Sequence, residues 1–388
     1  MIRKIKGVIK EYEWGSYEAL PALFGYERDN TPQAEAWFTT HPSGCAILEN
    51  GMSLKDFIQN DPQKLLGEHC FKKFGSDLPL LLKILAVRTP LSIQCHPNKE
   101  EAEKGYEKER LDRESGTSLD ELDFKDPNGK EELFYALSPV TALVGFREVK
   151  EIEKDLQRTM PNAFKSFFSN MKTIKDYVKR IFTLPEEEIR VSIDELISNM
   201  DFEKPSNSSQ FLGRKEITIK AFRQFGYDRG IIFSYLLNIL TLECGEAIYI
   251  NSGIVHSYIF GNGIELTSLS DNSFRGGLTN KKVDISSFMQ TMVTNNEKIN
   301  ILKSRRDSFN REVIISPSTT FVLYKMDKGN YFLKDKAPSL FIAIKGSAEV
   351  IGKEDKIALS QGECCFIGAD EKEYVIVVNE EAFQATLI

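Results

Sequence analysis

Histidine and tryptophan are scarce in this chain. Its 388 residues include four histidines, His41, His69, His96 and His256, and two tryptophans. Any site that needs imidazole therefore has few candidates. The six cysteines (45, 70, 95, 244, 364 and 365) show no Cys-x-x-Cys spacing. With no secretion signal ahead of them, they read as reduced thiols. Long apolar runs are absent as well. The strongest candidate, "GIIFSYLLNILTL" (230–242), contains Ser, Tyr and Asn and is too short to span a bilayer. The first residues, "MIRKIKGVIKEYEWG", carry charge throughout and lack the apolar block of a signal peptide. No membrane association is expected, and the cytoplasm is the default location. Positive charge is not in excess: the net charge is −7 and the pI about 5.5. That argues against a nucleic-acid partner. It leaves an anionic small molecule open, because a few clustered Lys and Arg suffice locally.

What is present is ordinary for a globular protein, with 41% hydrophobic and 28% charged residues. Residues 1–50 read as short strands, with "KIKGVIKEYEWG" alternating and "AEAWFTTHPSG" closed by Pro and Gly. Residues 53–73 carry a helical pattern with Ser53 as N-cap. "LPLLLKILAV" and "LSIQCH" suit buried strands, and "KEEAEKGYEKERLD" (99–112) a charged surface helix. From about 150 to 200, apolar residues recur at helical spacing; 203–216 reads as a polar loop, and a helix leads back from 217. From 241 the pattern is all β, with Gly-rich turns. "LECGEAIYINSGIVHSY" (242–258) and "LSQGECCFIGADEKEYV" (359–375) share Leu-x-x-Gly-Glu at an offset of 117, which sets His256 opposite Glu373. This repeat suggests two related jelly rolls of the double-stranded β-helix (cupin) kind.

The expected architecture is mostly β. A catalytic cupin domain comprises 1–149 plus 230–300, a helical insertion occupies 150–229, and a second cupin-like domain without metal ligands spans 301–388.

Four stretches carry candidate chemistry. In "LSIQCHPNKE", Gln94 and His96 lie two apart on a strand and share a face, while Cys95 points to the other layer. A lone Gln-x-His is more often a polar pair bonded to backbone. His256 follows "GEAIYINSGIV", and alone is more often structural. Glu132 in "NGKEELFYAL" competes with Glu131. Together, two imidazoles, a carboxylate and an amide oxygen make an N/O ligand set that Zn²⁺ accepts. The fourth stretch is "IELTSLSDNSFRGGLTNKKVDI" (264–285), where Arg275 precedes a Gly pair and Lys281 and Lys282 follow. Cations there suit a phosphate or a developing oxyanion.

Taken together, "YEWGS", "QAEAWFTTHPSG", "LPLLLKILAVRTPLSIQCHPNK", "DPNGKEELFYALSP", "GEAIYINSGIVHSY" and "IELTSLSDNSFRGGLTNKKVDI" resemble, in order, the type I mannose-6-phosphate isomerases. The C-terminal hundred residues share only general cupin character. The resemblance implies an aldose–ketose isomerase that interconverts mannose 6-phosphate and fructose 6-phosphate through an enediol(ate). It implies one Zn²⁺ per chain, held by Gln94, His96, Glu132 and His256, with Glu132 chosen over Glu131 by its place before Leu133. It implies a catalytic role for Arg275, and active-site positions for Lys130, Asp271 and Glu265, among which the proton-transfer base is left open. Lys83, Ser92, Tyr258, Lys281 and Trp14 are the implied substrate contacts. The chain departs from the family at Gly129-Lys130-Glu131-Glu132, where many members have His-Lys-Pro-Glu; that His has been linked to sugar ring opening.

Two competing readings remain. An Fe²⁺ oxygenase of the same fold uses two His and a carboxylate, but Gln94 and the Arg-Lys segment fit it poorly. A non-catalytic sugar-phosphate binder would be expected to have lost a ligand, and none is lost. A monomer is expected.

Overall fold

A computed structural model of the chain describes residues 1–118, 121–200, 210–295 and 299–388. The part of the 203–216 loop expectation that covers 203–209 lies outside these residues. Strands dominate, gathered into two large antiparallel sheets, with helices between and around them. No helix among the described residues is long and apolar enough to cross a membrane.

The first sheet runs Ala247–Ile250, Glu132–Ala136, His256–Thr267, Leu81–Val87, Glu35–Thr39, Val8–Lys10. Ile93–Cys95, Phe274–Gly277, Val140–Phe146 and Leu237–Leu242 attach to it as branches. In the second sheet Phe321–Leu333, Tyr374–Leu387, Ser339–Lys345 and Cys364–Ile367 are consecutive neighbours. The two sheets share one core. Leu82, Ile84, Leu133, Tyr135 and Ile264 from the first pack with Phe321, Leu340, Phe366 and Phe383 from the second. Strand alternation explains the division of labour. Leu82, Ile84 and Ala86 face that core, while Lys83 and Leu85 between them line a cavity on the other side of the sheet.

Several local features follow from capping chemistry. Ser53 accepts a hydrogen bond from the Asp56 backbone N–H at 3.0 Å, so the helix starts where expected. The 53–73 pattern is three short helices rather than one, because Asp61-Pro62 and Gly67 start new ones. Asn98 closes a capping box with Glu101 and starts helix Lys99–Lys108. Helices Val149–Thr159, Ile174–Thr183, Glu186–Ser198 and Arg214–Phe225 bury their apolar faces in a core that also contains Ile93, Cys95, Phe146 and Phe274. Cys95 thus faces away from the cavity.

Three sequence expectations are corrected. The region after 241 is not all β: Asp284 caps a helix at Ile285–Thr291. A helix, Ala19–Phe24, also interrupts the N-terminal strands. Strand Ile2–Lys6 does not stay with its sequence neighbours. It pairs with Cys364–Ile367 on one side and Ile47–Leu48 on the other, inside the second sheet.

The repeat read from the sequence extends to geometry. Leu237–Leu242 turns into Ala247–Ile250, and Lys356–Leu359 turns into Cys364–Ile367. Both turns hold a glycine at positive φ, Gly245 at 98° and Gly362 at 82°. In both, the following Glu accepts a backbone N–H at 2.8 Å, Glu246 from Glu243 and Glu363 from Ser360.

Candidate active site and metal centre

One long strand, His256–Thr267, brings the site together by changing partners along its length. His256 lies opposite Gln94 on one side and Val144 on the other. Further on, Glu265 lies opposite Lys83, and Thr267 opposite Glu132. The change of partners occurs at Gly261, φ 112°, where an added Cβ would lie 2.4 Å from the Pro139 carbonyl oxygen. Only glycine fits there. Strand Ile93–Cys95 stops one residue before His96, and the helix capped by Asn98 carries the chain away.

His96, Glu132 and His256 meet in the interior with exposures of 2%, 1% and 0%. A possible ligand atom from each lies within 4.8 Å of the others. His96 Nε2 is 3.1 Å from Glu132 Oε1, and His256 Nε2 is 3.3 Å from Glu132 Oε2. The other ring nitrogens are committed: His96 Nδ1–H donates to the Asn272 carbonyl at 2.7 Å, and His256 Nδ1–H to the Ile254 carbonyl at 2.9 Å. That choice of tautomer leaves both Nε2 lone pairs turned toward Glu132. Burial, with the Lys130 ammonium beside it, pushes the His96 imidazole down to about 3, so it is neutral at pH 7. Burial opposes ionisation of Glu132, but Lys130 foremost outweighs it and holds the carboxyl well below its usual range. Despite the short separations, neither Glu132 oxygen nor His256 Nε2 makes a well-angled hydrogen bond. Buried polar atoms without partners are costly and rare. Two imidazole nitrogens and one carboxylate, all converging, are a donor set that fits a divalent cation such as zinc.

Glu131 faces elsewhere. It accepts hydrogen bonds from Tyr249 and, at 2.6 Å, from Ser318 Oγ of the second sheet's side. Gln94 adjoins the cluster by register, and its Oε1 accepts from Ser273 at 2.7 Å and Ser92 at 3.3 Å.

Glu132 brings the cluster to the wall of a cavity of about 350 Å³, with both imidazoles behind it. Of the residues singled out from the sequence, Trp14, Lys83, Ser92, Gln94, Lys130, Glu132, Glu265, Asp271, Arg275 and Lys281 line it. Lys130 Nζ is 2.9 Å from Glu132 Oε1 and 3.3 Å from His96 Nε2. Lys83 Nζ donates to Glu265 Oε2 at 2.7 Å. Burial would discharge Lys83, yet Glu265, Glu35 and Glu132 outweigh it, so the ammonium is held above its usual range. Burial works against the Asp271 carboxylate too, but Lys125, Lys130 and Lys83 keep it below its usual range and ionised. Glu265 is shifted the other way, first by burial and then by Glu132. Arg275 lies opposite Gln94 on strand Phe274–Gly277. Lys281 Nζ sits 4.6 Å from the centre of the Tyr12 ring.

Tyr258 is placed differently from the sequence expectation. It is 1% exposed and lies outside the cavity wall, stacked on Phe134 at 4.5 Å with its ring edge toward His256 at 5.9 Å. Two residues from His256 on the same strand, it shares that residue's face, and its ring is taken up against Phe134 and His256 instead of reaching the cavity. Wall residues that the sequence reading missed include Tyr12, Glu35, Trp37 and Lys125. For Glu35 and Trp37 the signal was available, since they lie two apart on a strand, the same spacing that drew attention to Gln94 and His96. At Gly129 a Cβ would lie 2.5 Å from Lys99 N and 2.7 Å from Asn98 C, so the backbone passage leading to Lys130 takes no side chain.

Residues 2–149 match the family model "Phosphomannose isomerase type I, catalytic domain". The chain is 30% identical to the mannose-6-phosphate isomerases of Shigella flexneri and Escherichia coli K12, over 97% of each partner. It is 29% identical to mannose-6-phosphate isomerase 1 of Arabidopsis thaliana, over 95% of this chain and 90% of the relative. Its backbone resembles that of a phosphomannose isomerase variant from Salmonella typhimurium, with TM-score 0.86, 26% identity and coverage of 100% and 99%. The same values hold for a mannose 6-phosphate isomerase solved bound with zinc and yttrium.

Proposed function

Because the chain belongs to the type I mannose-6-phosphate isomerases, a family of aldose–ketose isomerases, we propose that it interconverts mannose 6-phosphate and fructose 6-phosphate with one zinc ion per chain. The observation that carries the proposal is the buried His96–Glu132–His256 cluster, with three ligand atoms that make no hydrogen bond, behind the wall of a cavity rich in both charges.

In this reading Gln94 completes the ligand set with those three residues. The bound ion supplies Lewis-acid stabilisation of negative charge on the substrate oxygens. The remaining work falls to side chains. Moving a proton from C2 to C1 of an opened aldose passes through an enediol(ate), with charge developing on the oxygens. Arg275 meets that charge as a fixed cation in a partly dry pocket. Asp271, Lys130 and Glu265 are the candidates for the base that carries the proton. Asp271 has in its favour that it is held ionised at the wall. The phosphate is assigned to Lys281, Lys83 and Ser92, and Trp14 to the sugar side of the mouth.

The proposal extends to the architecture and setting. A first cupin-like barrel, 1–149 plus 230–300, carries the helical insertion 150–229 and lends strand Ile2–Lys6 to the second sheet; the second barrel, 301–388, contains no histidine and serves as support. The protein acts as a monomer in the cytoplasm.

The test is a coupled assay for fructose 6-phosphate formed from mannose 6-phosphate, before and after chelation and with Zn²⁺ added back. Activity that chelation abolishes and zinc restores is the expected result. Zinc-loaded protein that leaves mannose 6-phosphate unchanged would sink the proposal.

A further inference from the structure

Lys83 stands at the middle of a row that crosses three neighbouring strands. Trp37 lies opposite it on one side and Glu265 on the other. Directly opposed residues on antiparallel strands share a face, and here the shared face is the cavity wall. The ammonium donates to Glu265 at 2.7 Å and lies 5.0 Å from the centre of the Trp37 ring. The indole is itself fixed. Its Nε1–H donates to Glu35, two residues earlier on the same strand face. The His41 ring meets it edge-on at 6.0 Å, and Lys10 Nζ lies 4.7 Å from its centre. Trp37 and Glu35 are 3% and 7% exposed, yet both reach the cavity wall.

A buried carboxylate bonded to an indole N–H costs more than an apolar pair of the same shape unless it sets a geometry. A lysine has four rotatable bonds and little intrinsic direction. Glu265 fixes the distance of Lys83 Nζ from one strand, and the indole face fixes it from the other. Glu35 keeps that face turned toward the ammonium.

From this geometry we infer that Glu35 and Trp37 are positioning residues that aim Lys83 at the substrate. Glu35 acts through the Trp37 ring, and Trp37 acts through its cation–π contact with Lys83. The inference rests on the reading above that Lys83 contacts the sugar phosphate.

The test is a double-mutant cycle on the zinc-loaded full chain. Trp37→Leu removes the ring face, and Glu35→Ala frees the indole while leaving it in place. A desolvated cation–π contact is worth a factor of about ten or more. Each single variant is therefore expected to raise KM for mannose 6-phosphate by about tenfold, with kcat within about twofold and zinc content unchanged. In a Lys83→Met background neither substitution is expected to add anything, because the group they aim is gone. Trp37→Phe, which keeps an aromatic face, is expected to recover most of the loss. Independent, multiplying effects in the Lys83→Met background would overturn the inference.

A second readout needs no turnover. In protein carrying ¹³C-lysine, the Lys83 ε-CH₂ signal, assigned by its loss in Lys83→Arg, is expected upfield of the lysines that lie away from aromatic rings, from the indole ring current. It should return to their range in Trp37→Leu. A Lys83 signal that Trp37→Leu leaves in place overturns the inference even if isomerase activity is found. A wild-type chain that fails to isomerise mannose 6-phosphate, with the ring-current shift present, would instead count against the functional reading.

Discussion

Replacing Lys130 with Met tests the electrostatics of the cluster apart from its chemistry. Glu132 is 1% exposed, and the Lys130 ammonium, 2.9 Å away and 5% exposed, is the group that does most to keep it charged. Removing one partner of a buried ion pair costs about 3–5 kcal/mol, because the other charge is left uncompensated. Lys83 also feels Glu132, which points to the lower part of that range. Unfolding entropy of about 2.1 cal/mol/K per residue gives roughly 0.8 kcal/mol/K for a chain this long, so the loss corresponds to a Tm lower by about 4–6 °C. That applies to chelated protein. With zinc loaded, the dication supplies the compensating charge, and Lys130→Met is expected to shift Tm by no more than about 1 °C. Calorimetry of both variants, with and without zinc, reads the difference of differences. Equal destabilisation in the two forms would show that Glu132 does not face a metal, and the reasoning would fail.

Arg275→Ala is expected to lower kcat by about 10²–10³ while zinc content, read by elemental analysis, stays at one per chain; undiminished turnover would remove Arg275 from the catalytic group. Gly129→Ala places a Cβ 2.5 Å from Lys99 N, and because backbone cannot step aside cheaply, a loss of about 1–3 kcal/mol is expected. An unchanged melting curve for that variant would contradict the close approach.

The metal candidates were legible because each sits in a short, distinctive segment and because imidazole is rare in this chain. Period-two alternation correctly sent Gln94 toward the cavity and Cys95 into the opposite core. Glu132 was set apart from Glu131 by its place before Leu133 in the family motif, and Glu131, just outside the strand, goes to Tyr249 and Ser318. What was not legible depends on register between distant segments. Trp37 meets Lys83, and Lys83 meets Glu265, only once three strands far apart in sequence have aligned. No single stretch encodes that row. Tyr258 shares the face of His256, as period two requires, but its ring packs on Phe134 and His256 short of the cavity, a depth set only by the assembled strands. Helix Ile285–Thr291 escaped notice because its signal is one Asp cap ahead of barely one apolar turn.

The position of strand Ile2–Lys6 has a consequence for how the protein is made. Its partner Cys364–Ile367 lies near the other end of the chain. At about 5–20 residues per second, a ribosome takes roughly 20–70 s to deliver that partner after the strand has emerged. Through that interval the strand has an open edge and waits. Its sequence suits the wait: Arg3 and Lys4 sit between Ile2 and Ile5, and Lys6 follows, and cationic side chains on an unpaired edge discourage pairing with a stranger. The charges that made this stretch look unremarkable thus act as a guard on a strand whose second partner is synthesised long after it.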